Sequence, residues 1–102
     1  MATAGGACVG EAHVIKVSGG ANGQTRAQLD HALDAVYECG GRKVAVEIAE
    51  PESVEVALDV LMRHLTRFRA RGGDVVIACE SSITSDLRVE RRLDDAIASL
   101  LR

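Results

Sequence analysis

Three short runs rich in β-branched residues, set apart by two amphipathic stretches, constrain this chain most. The runs are His13-Val14-Ile15-Lys16-Val17, Lys43-Val44-Ala45-Val46-Glu47-Ile48 and Asp74-Val75-Val76-Ile77-Ala78-Cys79. Each reads as a strand, with the second as a central one. After the first comes a turn-rich loop, Ser18 to Gly23, and then a helix. Thr25 and Gln28 have capping-box spacing at its start, and Leu29, Ala32, Leu33 and Val36 form its apolar face. Gly40-Gly41 closes it, because glycine accepts the left-handed closing conformation. The second helix runs from near Ser53 to about Arg71, with Val54, Leu58, Leu61, Leu65 and Phe68 as its buried stripe and Gly72-Gly73 at its end. Ser81 or Ser82 can cap a short helix over about 83–89, and a last helix covers about Leu93 to Leu101. A short edge strand is expected at Cys8-Val9-Gly10, after a loose start over residues 1–7. The domain proper is then 8–102. Alternation of this kind predicts an α/β fold, a mixed sheet with parallel pairs and right-handed crossovers.

A chain of 102 residues fits one domain, and 47% apolar residues suffice for a core without metals or disulfides. Aromatic side chains are limited to Tyr37 and Phe68, so that core must be built from Val, Leu, Ile and Ala. The net charge is −3 and no long basic run occurs, which argues against a nucleic-acid partner. No stretch approaches the roughly 20 apolar residues of a membrane span, so direct membrane insertion is not expected. The first residues lack the features of a secretory signal, and a cytoplasmic location is the reading. Cys8, Cys39 and Cys79 form no CxxC pair; they read as small thiols, with a redox switch joining two of them as the sharper alternative. His13, His31 and His64 fit no metal-binding pattern. There is no Walker loop and no GxSxG elbow. Neither an enzyme, a cofactor nor a metal site is therefore expected.

Three blocks in order are similar to STAS domains, especially the single-domain bacterial anti-sigma factor antagonists (anti-anti-sigma factors). Val17-Ser18-Gly19-Gly20-Ala21-Asn22-Gly23-Gln24-Thr25, followed by Leu29, resembles "sGelDlaTaprL". Leu58 to Arg63, leading to Arg69-Ala70-Arg71-Gly72-Gly73 and Val75-Val76-Ile77, resembles "GLgvLlr…lraRGgrlvlv". Leu87 to Ile97 resembles the closing "LeltgLdral". The resemblance spans about His13 to Ala98. It implies a STAS sandwich, with a mixed sheet of four or five strands and helices mainly on one face.

The resemblance also implies a device for regulating transcription. In typical members a kinase phosphorylates a serine in "DSSGL" at the start of the second helix. The unmodified form captures an anti-sigma factor with a GHKL-type ATP-binding fold, which frees a sigma factor; phosphorylation abolishes capture. Here the motif falls on Val54-Glu55-Val56-Ala57-Leu58. Glu55 replaces the phosphorylatable serine, Val54 its preceding aspartate, and Asn22 the aspartate of "GelD". Glu55 then supplies a fixed negative charge smaller than phosphate's, or the phosphoswitch is lost; in either case a carboxylate there also suits the helix dipole. Ser53 reads as the helix N-cap, with a displaced phosphosite as its alternative. The expected partner surface is Ala21, Asn22, Gly23 and Thr25 together with Ser53 to Ala57. Two other classes of function remain open: a STAS subunit docked on the ATPase of a membrane lipid-transport complex, and a thiol sensor using Cys39 and Cys79, or Cys8.

Overall fold

A computed structural model describes residues 3–9, 12–18, 23–49, 54–79 and 88–101. The elements are β1 (Thr3–Val9), β2 (Ala12–Ser18), α1 (Gly23–Glu38), β3 (Lys43–Ile48), α2 (Val54–Ala70), β4 (Asp74–Ala78), β5 (Arg88–Glu90) and α3 (Leu93–Leu100). The sheet has five strands in the order β1-β2-β3-β4-β5. β1 is antiparallel to β2, and every later pair is parallel. This is the mixed α/β sheet that the alternation of strand and helix predicts.

The strand order explains where the helices lie. β2, β3 and β4 follow one another across the sheet, so consecutive crossovers of one hand put α1 and α2 on the same face. That face carries the main core. Ile15, Val46, Ile77 and Val89 form one row across four strands. Leu29 and Leu33 of α1 and Leu61, Leu65 and Phe68 of α2 pack on this layer. The alternate strand positions face α3: Ala12, Ala45, Val76 and Ala78 meet Ala96 and Leu100. Both sheet faces are thus covered, and β3 and β4 are buried almost throughout.

Both long helices end by the same motif. Gly40 N–H donates to the Tyr37 carbonyl and Gly41 N–H to that of Val36, at 3.1 and 2.9 Å. The amides of Gly72 and Gly73 repeat this pattern on Arg69 and Phe68, at 3.0 and 2.9 Å. Gly40 and Gly72 have φ of 85° and 84°, the left-handed closing conformation.

Three boundaries differ from those expected from the sequence. β1 begins at Thr3 and takes in most of the stretch expected to be loose, since backbone pairing with β2 needs no large side chain. α1 begins at Gly23, so Thr25 lies inside the first turn rather than capping it, and is buried. Val89 belongs to β5, not to the end of a short helix; it pairs with Ile77 and packs on the main core. The proposed caps Ser81 and Ser82 lie outside the described residues. α3 lies on the face opposite the other two helices.

Candidate partner-binding rim

In a parallel sheet all strands end at the same rim, and the chain leaves that rim to enter each helix. Val17 near the end of β2 pairs with Ile48 at the end of β3, and Ala49 N–H still donates to the Val17 carbonyl at 3.2 Å. The first turns of α1 and α2 therefore follow neighbouring strand ends. Glu55 is exposed in the first turn of α2. On either side of it Val54 is buried and Val56 half-buried, and Ala57 is fully buried. Within this turn the apolar residues anchor the helix and Glu55 alone projects a charge into solvent.

Gly23 is the first residue of α1, and Thr25 is buried in the same turn. Thr25 is therefore expected to act on a partner through the shape of this turn rather than through an exposed hydroxyl. Ala21, Asn22 and Ser53 lie outside the described residues.

A belt of polar pairs joins α1 to α2 on their solvent side. Arg26 pairs with Asp59, and Arg67 with Asp34. Between them, His64 Nε2–H donates to Asp30 Oδ1 at 2.6 Å. This hydrogen bond is the main cause holding the Asp30 carboxyl below the usual carboxylate range, against the opposing effect of burial. At the far end, the Arg71 guanidinium donates to the carbonyls of Tyr37 and Gly41, at 2.7 and 3.1 Å, and stacks 3.5 Å from the Tyr37 ring centroid.

The rim also contains residues the sequence did not single out. A groove of about 660 Å³ is lined by Glu47, Val54, Cys79, Arg91, Arg92 and Asp94, among others. Arg91 and Arg92 are exposed just after β5, and Arg92 precedes α3 in extended conformation with no side-chain cap. Their place depends on β5 running parallel to β4, which no local pattern announces. Among the described residues no His, Cys, Asp and Glu group could hold a metal ion, and no helix is long and apolar enough to cross a membrane.

The thiols are dispersed. Cys39 is exposed just beyond α1, where it lines a cavity with His13, Arg42 and Lys43 at the start of β2 and β3. Cys79 is buried at the opposite end of the sheet, one residue past β4. Lys43 pairs with Asp74, and five further residues of strand, about 16 Å at ~3.3 Å each, separate that level from Cys79. A disulfide needs Cα atoms within about 7 Å, so this fold does not join Cys39 to Cys79 within one chain. Cys8 is in β1.

No protein-family model matches the chain, and no curated protein matches its sequence. Among solved structures it is similar to an anti-sigma factor antagonist from Mycobacterium paratuberculosis. The TM-score is 0.76 at 17% identity, over 100% of this chain and 96% of that one. The chain has the STAS fold of an anti-sigma factor antagonist.

Proposed function

We propose that this chain is a regulatory protein-binding module that acts as an anti-sigma factor antagonist. Its partner is an anti-sigma factor of the GHKL type, and its product is a released sigma factor rather than a chemical conversion. The contact surface is the rim around the first turn of α2, with Ala21, Asn22 and Gly23 as its further expected members. One observation carries this reading: an exposed carboxylate, Glu55, on a buried helical turn, at the strand-end rim of an antagonist fold. Glu55 has no hydroxyl, so partner choice is not switched by phosphate at that position. A fixed single charge replaces the larger, removable charge of a phosphoserine.

Capture from the source cell with the full chain as bait tests the reading. The wild type is expected to retain an anti-sigma factor. Glu55→Arg is expected to weaken that capture by more than about tenfold, because a partner that accepts the carboxylate opposes its reversal. Equal capture by both, with the fold intact by circular dichroism, would remove Glu55 from the interface. Recovery of an ATP-binding cassette ATPase instead would assign the rim to a lipid-transport complex. Stoichiometric phosphate on Ser53 after incubation with the cognate kinase would overturn the loss of the switch.

A further inference from the structure

We propose that the outer edge of β1 is a self-association surface, at which a second copy of this chain adds its own β1 antiparallel and joins two sheets into one. β1 is the first strand in the sheet order and is paired on one side only, with β2. In an antiparallel pair, alternate residues turn their N–H and C=O groups away from the partner. β1 thus presents a row of backbone donors and acceptors that no described strand meets.

Proteins block such edges with short strands, bulges, prolines or charges. β1 has none of these. It runs for seven residues in unbroken register with β2, and its sequence, Thr-Ala-Gly-Gly-Ala-Cys-Val, contains no charge and no proline. The other edge is protected: β5 has three residues, with Arg88 and Glu90 charged and Arg91-Arg92 directly after it. Protection of one edge and not the other distinguishes β1 as a surface open to pairing.

The residues of β1 favour a copy of the same strand over a foreign peptide. Peptide docking on an edge takes its specificity from pockets that read alternate side chains. β1 offers only small, uncharged residues for that purpose. A twofold axis pairs the strand with its own copy without them. Centred on Gly6, the strand meets itself with Thr3 opposite Val9, Ala4 opposite Cys8 and Gly5 opposite Ala7, so no like charges face each other. The charges of β5 oppose a β1-to-β5 arrangement, and the assembly closes at two. The proposal does not depend on the rim's partner. The ladder follows the side of the sheet, and only its first residue, Thr3, lies level with the end of β2.

Sedimentation of the full chain over a concentration series tests it, with Gly5→Pro and Gly6→Pro beside the wild type. The wild type is expected to pass from monomer to dimer, with alternate amides of residues 3–9 gaining protection from deuterium exchange as the dimer forms. Neighbouring N–H groups point to opposite edges of a strand, so the two prolines differ. The one that removes the outward N–H is expected to weaken the dimer by more than about tenfold with thermal stability unchanged. The one that removes the inward N–H lowers the melting temperature. A wild-type chain that stays monomeric throughout, or a dimer that forms without protecting residues 3–9, overturns the proposal.

Discussion

His64 is a buried side chain with one ring nitrogen in use and one idle. Nε2 holds Asp30, while Nδ1 is buried without a hydrogen-bond partner among the described residues. A proton on Nε2 fits this setting, since the Asp30 carboxylate accepts there. The Asp30 carboxyl titrates lower in the folded chain than in the unfolded one. Its contribution is therefore complete above the ordinary carboxylate range and disappears as the pH falls through the lowered folded value. Asp30→Asn is expected to cost about 1 kcal/mol at neutral pH, a modest figure because Asp30 is partly open to water. It should also flatten the fall of melting temperature in that acid window; parallel wild-type and variant curves there would contradict the assignment. From sequence, His64 reads only as a packing or surface histidine. Asp30 precedes it by 34 residues, and nothing local pairs them. Glu55, by contrast, was legible as a charged residue in the first turn of a helix, because that depends on α2 alone.

At the scale of elements, the junction between α2 and β4 is the least forgiving. Gly73 N–H ends the helix on the Phe68 carbonyl, and the next residue, Asp74, donates to the Arg42 carbonyl at 2.9 Å. The chain passes so close to Arg42 that a Cβ on Gly73 would collide with its backbone. Gly73→Ala is expected to destabilise the fold by about 2 kcal/mol or more, since backbone must move to admit the methyl. Denaturant unfolding measures this, and a loss within about 0.5 kcal/mol, the usual range for a surface change, would refute it. The Gly-Gly pair is recognisable in the sequence as a helix end. The second glycine's role as a spacer between β3 and β4 is not, because Arg42 comes from a distant part of the chain.

At the scale of the molecule, one sheet separates two unlike layers. The α1–α2 side is filled by Leu, Val, Ile and Phe68, while the α3 side is lined by Ala12, Ala45, Ala78 and Ala96. Small side chains bring α3 close to the sheet and leave little room for addition. Ala45→Leu is expected to cost about 1–3 kcal/mol by overpacking and to loosen α3 first. Deuterium exchange would then rise over Leu93 to Leu100 before it rises in α1 or α2. Equal acceleration in all three helices would mean that the layers do not open separately.

The sequence by itself determined β2, β3, β4 and the three helices, where both long helices stop, and the charged first turn of α2. These features rest on periodicity, β-branching and glycine backbone freedom, all of which act within a few residues. Tertiary structure decided the order of the strands, the length of β1, the identity of β5, the side on which α3 packs, the burial of Thr25 and the separation of Cys39 from Cys79. It also brought Arg91 and Arg92 to the rim beside α2. Each of these depends on which backbone edge or apolar face finds a partner far along the chain, and such pairing has no signature in neighbouring residues.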